Sequence, residues 1–166
     1  MDNKTLNFKL KQRAVQLGLC AQWTSEWGSE ESQDMLVKKY KRGIDFCIEN
    51  NYPNNEFIKA NFSRDVLLNN LVFVDESINM NGVNGVYVIN GNTVGTITFR
   101  GYSVGTLYIR HNSDIKVICE DMSKVFITLL DSASLDISQQ DAAKCYVYQR
   151  SNKCTTTHCG DVLIRK

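Results

Sequence analysis

Residues 93–102 read TVGTITFRGY, residues 103–112 SVGTLYIRHN, residues 113–122 SDIKVICEDM and residues 123–132 SKVFITLLDS, and the way these lines stack decides the fold. The same phase runs back to VNGVYVINGN at 83–92. It runs forward through ASLDISQQDA, AKCYVYQRSN and KCTTTHCGDV, ending at residue 162, so that eight units align without an insertion. With columns named by the last digit of the residue number, column seven reads Tyr87, Ile97, Leu107, Val117, Ile127, Ile137, Val147 and Thr157. Columns five and nine are likewise mostly apolar or small, while six, eight and zero are mostly polar. This is the period of two expected of a strand with one buried face. A small residue opens the middle units at Thr93, Ser103, Ser113, Ser123, Ala133 and Ala143, which marks a tight corner repeated in register.

Ten residues are too few to close a coil. The units therefore fit either a two-sided coil, in which residue n stacks on n+20, or an antiparallel meander. Constant unit length favours the coil, because each turn of a solenoid must repeat the same geometry whereas hairpin loops tolerate variation. Spacing by twenty also sets Arg100 over Glu120 and Lys116 over Asp136, opposite charges that support each other. The expected architecture is α+β, a helical N-terminal module over 1–78 followed by a β-solenoid over 79–166, with two units per coil and about four coils.

In the N-terminal part, Leu6, Leu10, Ala14 and Leu17 fall at near-helical spacing, and Gly18 sits where a helix can end. Ser29-Glu30-Glu31-Ser32 resembles a helix start, and Met35, Leu36, Tyr40, Ile44, Phe46 and Cys47 give the following helix an apolar face that should stop near Asn50-Asn51. Pro53 suits the opening of a short third helix through Glu56, Phe57 and Ile58. Arg64 to Glu76 reads as a last helical turn or a strand, with Leu71 to Val74 leaning toward strand.

Nineteen Lys plus Arg against eighteen Asp plus Glu leave a net charge of +1, which selects neither nucleic acid nor an acidic membrane as partner. Met1-Asp2-Asn3-Lys4-Thr5 lacks a basic stretch followed by an apolar segment, and the most apolar window, Val66 to Val74, is too short to cross a bilayer. Such a start is expected of a cytosolic product, and no membrane partner is expected. Six Cys without a regular framework read as reduced, mostly buried thiols.

Each chemical motif has a plain structural alternative. Trp23 and Trp27, four apart, are candidate stacking platforms for a sugar or base, with the alternative that they anchor the first helix on the second. Lys38, Lys39, Lys41 and Arg42 are candidate phosphate contacts around Tyr40, with a solvated helix face as the favoured alternative. Cys145, Cys154, His158 and Cys159 are the zinc-type ligands, yet their spacing is wrong and Cys145 and Cys159 fall on inward columns, so core thiols are preferred and no metal or cofactor is expected. His158 falls on an outward column and His111 at a corner, without a triad partner. The carboxylates of Glu120, Asp121, Asp131, Asp136 and Asp141 are spread between a strand face and the corners, with no catalytic pair. Asp121 and Asp141 share a corner column and read as solvation. Outward Thr96, Thr98, Thr106, Thr128 and Thr156 are interrupted by charged and aromatic residues, which excludes an ice-binding face.

Tyr108, Ile118, Phe126, Tyr146 and Tyr148 are apolar groups on nominally wet positions and form the candidate interaction surface. The last residues, Asp161 to Lys166, break the phase and are too few for a helical cap. Subunit contact or a final strand folded over the end is therefore expected there.

In Gly18-Leu19-Cys20-Ala21-Gln22-Trp23, in Lys41-Arg42-Gly43-Ile44-Asp45-Phe46-Cys47, in Leu71-Val72-Phe73-Val74-Asp75-Glu76, and in Thr106 to His111 followed by Lys124 to Ile127, the chain resembles a family of small, mostly uncharacterised proteins encoded by phages and prophages of gut Bacteroides-type bacteria. The resemblance spans nearly the whole chain and implies a phage or mobile-element origin, with no catalytic motif to carry over. The expected role is non-enzymatic: a structural or protein-interaction protein whose solenoid docks to a protein partner or to itself as a homo-oligomer. The alternative is a ligand- or nucleic-acid-binding module acting as a host-defence antagonist.

Overall fold

A computed structural model describes all 166 residues, which divide into two compact units, Met1–Asn70 and Leu71–Lys166. The division falls before the 78/79 boundary read from composition, because the chain joins the sheets at Val72.

The first unit holds six helices: α1 (Asn3–Gln16), α2 (Ala21–Glu26), α3 (Gln33–Arg42), α4 (Ile44–Glu49), α5 (Asn55–Asn61) and α6 (Arg64–Asn69). Four of them start on a side chain that accepts from the third residue on: Asp2 from Thr5 N–H, Ser32 from Met35, Asn54 from Phe57 and Ser63 from Val66. Each cap satisfies a backbone donor that no helical carbonyl can reach. Gly18, with φ of 94°, lies just past the end of α1 in the left-handed conformation that glycine reaches without strain. The buried residues include Leu6, Leu10, Ala14, Leu36, Val37, Tyr40, Ile44, Cys47, Ile58, Phe62 and Leu67. The second helix expected from sequence starts later, on Ser32 rather than Ser29, and is broken at Gly43 into α3 and α4. Arg64 to Glu76 contains both alternatives in succession, α6 and then a strand.

The second unit is a β-solenoid of about five turns. Its strands are β1 (Val72–Val74), β2 (Ser77–Asn81), β3 (Gly85–Asn90), β4 (Val94–Phe99), β5 (Val104–Ile109), β6 (Asp114–Cys119), β7 (Lys124–Leu129), β8 (Ser134–Gln139), β9 (Lys144–Gln149), β10 (Thr155–Cys159) and β11 (Leu163–Arg165). Alternate strands form two parallel sheets, β1-β3-β5-β7-β9-β11 and β2-β4-β6-β8-β10, called A and B below. Register follows the expected spacing of twenty: Leu107 pairs with Ile127 and Ile127 with Val147, Ile97 with Val117 and Val117 with Ile137. The meander is thereby excluded.

Between the sheets, column seven from Tyr87 to Val147 is fully or almost fully buried, as are Ile89, Phe99, Ile109, Cys119 and Leu129 of column nine. Phe99 meets Tyr87 edge to face at 5.7 Å and takes up the space that a side chain at residue 105 would need. A Cβ on Gly105 would lie 2.5 Å from the Phe99 ring. Small and large inward residues thus compensate across neighbouring coils.

Strict periodicity fails near both ends, and the first failure explains why the count exceeds four coils. The first turn is short, with Val72 paired to Val88 and Ser77 to Val94, so β1 and β2 lie outside the ten-residue pattern. Near the other end one residue is inserted: Thr155 pairs with Ser134 and Thr156 with Leu135. The small buried residue after this corner is therefore Cys154, following Ala133 and Ala143. Thr156 and His158 take the inward register, and Thr157 and Cys159 the outward one. This reverses the expectation for Thr156, Thr157, His158 and Cys159. No helix is long and apolar enough to cross a membrane.

Candidate interaction surface

The corners hold the face flat. At column one, Gly91, Gly101, His111, Asp121, Asp131 and Asp141 all have φ between 54° and 76°, a region that glycine, Asn, Asp and His tolerate best. Each side chain there serves the coil before it: Asp121 accepts from Gly101 N–H at 2.8 Å, Asp141 from Asp121 N–H at 3.1 Å, and Asp131 from His111 N–H at 2.9 Å. His111 Nδ1 accepts from Gly91 N–H at 3.1 Å. The acidic corner column is therefore a ladder of backbone caps rather than a solvation shell.

Flat, in-register coils bring like columns together at the strand spacing of about 4.8 Å. On the outer face of sheet A, Thr106, Phe126, Tyr146 and Leu163 make one rank, and Tyr108, Thr128, Tyr148 and Arg165 the next. The Phe126 and Tyr146 rings stack at 5.1 Å with 9° between their planes. Exposure is 42% at Phe126, 36% at Tyr146, 49% at Tyr148 and 48% at Leu163, so this apolar area is uncovered and lies toward the C-terminal coils. Tyr108 is half-buried in the same face. Ile118 is not part of it: β6 belongs to sheet B, and Ile118 pairs with Thr98 and Ser138 there. Leu163, absent from the sequence-based surface, joins it because β11 pairs in parallel with β9.

That pairing also corrects the expectation for the C-terminus. β11 does not fold over the end but continues sheet A, leaving β10 as the last strand of sheet B. Thr155 N–H donates to Ala133 O in the preceding coil at 3.1 Å. By the alternation of a parallel ladder, the N–H and C=O groups of Thr156 and His158 then point away from β8, with no strand to receive them. The Thr156 hydroxyl is buried and has no hydrogen-bond partner. None of the usual guards of a sheet edge, neither Lys, Glu, Asp nor Pro, occurs in Thr155–Cys159.

The candidate ligand contacts of the helical unit are engaged internally. Trp27 donates from Nε1 to Asn7 Oδ1 at 2.6 Å, and its carbonyl accepts from Lys11. Arg42 lies over the Trp23 ring at 4.8 Å and pairs with Glu26 at 3.0 Å. Lys39 reaches the buried Glu31 at 3.3 Å and lies 5.8 Å from the Trp27 ring. Lys38 pairs with Asp34 one turn away at 2.6 Å. Lys41 donates to Asn70 O at 2.7 Å, and burial, followed by the nearby Lys38 charge, lowers its pKa.

Nor do the zinc-type residues converge; no group of three or more His, Cys, Asp or Glu side chains is placed to hold a metal ion. The Cys119 thiol is hydrogen-bonded to Cys145 in the core, and that bond together with burial holds it well above the ordinary thiol range, an unreactive setting. Cys154 donates to Asp131 O, while His158 and Cys159 lie exposed on β10. The chain matches no protein-family model, no curated protein and no solved structure.

Proposed function

We propose that the protein is a non-enzymatic structural component of a phage or prophage that self-assembles through the C-terminal end of its solenoid. One observation carries the reading: the terminal coil presents an unguarded strand, β10, with the backbone groups of Thr156 and His158 directed outward. A second copy suits it because an antiparallel β10 of the same sequence offers the matching donors and acceptors about a two-fold axis. The uncovered Phe126, Tyr146, Tyr148 and Leu163 side chains on the outer face of sheet A offer a separate apolar contact for a neighbouring copy. A net charge of +1 opposes the association only weakly. The phage setting, in host cytoplasm or virion, is supported by the segment resemblances alone. The nucleic-acid alternative is disfavoured because Trp23, Trp27, Lys39 and Arg42 are already engaged within the chain.

Sedimentation velocity from low to high micromolar concentration tests the proposal. The expected species is a dimer that His158→Pro turns into a monomer. This substitution removes an N–H that bonds nothing inside the chain, so the melting temperature extrapolated to low concentration should hold. A wild-type chain that stays monomeric throughout would sink the reading.

A further inference from the structure

Outside the solenoid the chain has a second feature that its folding does not use. α1 and the α4–α5 loop enclose a cleft of about 260 Å³. The hydroxyl of Tyr52 donates to the Leu10 carbonyl and holds the loop against α1. Lys9 and Arg13, one helical turn apart, both line the cleft, and no Asp or Glu does. Like charges at this spacing oppose helix formation slightly, and nothing in the chain neutralises them. Lys9 has no hydrogen-bond or ion-pair partner, and Arg13 makes a single side-chain bond, to Gln16 at 3.3 Å.

The amides add further donors. Asn54 uses its side-chain oxygen to cap α5 at Phe57 N–H, at 2.8 Å, which leaves its NH₂ available to the cleft. Asn51 lies beside it with a positive φ of 44° and an exposed side chain. Pro53 and Phe57 add apolar lining to the cleft. The basic run on α3 differs in this respect, since each of its four cations is already engaged.

We propose that this cleft binds a small phosphomonoester, with the dianionic phosphate between Lys9 and Arg13 and a ring-sized body against Pro53 and Phe57 within reach of the Asn51 and Asn54 amides. Two uncompensated cations suit a group carrying a charge of about −1.5 to −2 at neutral pH, and Arg can grip it through two N–H bonds. The volume lies just below the roughly 300–1,000 Å³ of drug-sized pockets, which limits the body to about one sugar or base. A pentose phosphate and a nucleoside monophosphate share this chemistry.

Titration calorimetry on the full chain, with ribose 5-phosphate, adenosine monophosphate, inorganic phosphate and uncharged ribose, distinguishes the sources. The expected result is saturable binding of at least one of the two esters, about tenfold or more tighter than inorganic phosphate, and none of ribose. Binding should weaken as pH falls below the second phosphate pKa of about 6. Arg13→Gln and Lys9→Met alter exposed side chains and should each lower the affinity about tenfold or more. Asn54→Asp keeps the cap while placing a carboxylate in the cleft, and should abolish binding. No saturable binding of either ester up to about 10 mM would overturn the proposal, as would equal binding of inorganic phosphate or indifference to all three substitutions.

Discussion

The helical unit and the solenoid satisfy their backbones at very different ranges. In the helices a donor finds its carbonyl four residues back, and Asp2, Ser32, Asn54 and Ser63 cap their helices from three residues away. In the solenoid most strand and corner bonds run to the neighbouring coil, and even the caps do so, as Asp121 does for Gly101. A helix can therefore finish itself, whereas a coil is finished only by another coil. The end of the second unit is open for that reason, while four of the six helices of the first are capped locally.

The comparison can be broken at several points, taken here in order of expected effect. Phe99→Ala removes the ring that fills the space beside Gly105 and should destabilise the solenoid by about 3–5 kcal/mol. A loss below about 1 kcal/mol in urea unfolding would show that neighbouring coils close over the gap. Asp121→Ala should cost about 1–2 kcal/mol, since it strands the Gly101 N–H and puts alanine at a positive φ. Asp121→Asn should cost less, and faster amide exchange at Gly101 in the alanine variant alone would tie the effect to the ladder. Ser32→Ala should cost about 1 kcal/mol and speed exchange only in the first turn of α3, the local counterpart of the previous test.

The smallest effect concerns pH. Burial, with a lesser contribution from Arg110, lowers the His111 pKa; Asp131 and Asp75 oppose the shift without reversing it. The neutral ring, which accepts from Gly91 N–H, is thus the form favoured by folding. Its stabilisation is fully present above the unfolded value near 6.5 and is lost as pH falls through the lower folded value. The loss should stay below about 1 kcal/mol for this half-exposed group. Thermal melts across this range should show it, and His111→Asp, which installs the residue used at the next rung, should remove the histidine titration. An unchanged pH profile in that variant would assign the dependence to other groups.

Much of the solenoid was legible because its periodicity is written in residues that have only one physical use. Alternating Leu107, Ile109, Val117 and Ile127 fixed the inward face, and the Arg100–Glu120 pair, at 2.6 Å, followed from the coil spacing alone. The same spacing already assigns Ile118 to sheet B, since units two apart share a sheet. The first turn was hidden because β1 and β2 pair at shorter spacing, which no alignment in tens reveals. The inserted residue before Cys154 left one trace, a small side chain displaced by one position, too slight to outweigh seven regular units. The role of the corner carboxylates is hidden because an Asp that caps a backbone N–H twenty residues away looks, in sequence, like any polar turn residue. The cleft beside Lys9 and Arg13 carried no sequence signal, since it depends on where the Tyr52 hydroxyl anchors the loop.

From Gly91 to Asp141 the corner ladder runs in one direction. Asp121 closes the turn before it, and its own N–H waits for Asp141. For a chain emerging N-terminus first from the ribosome, each turn would thus become secure only after the next has been synthesised, so that stability is conferred backwards along the growing rod. A pause in translation at any point exposes just one unsecured turn, whatever the length already made.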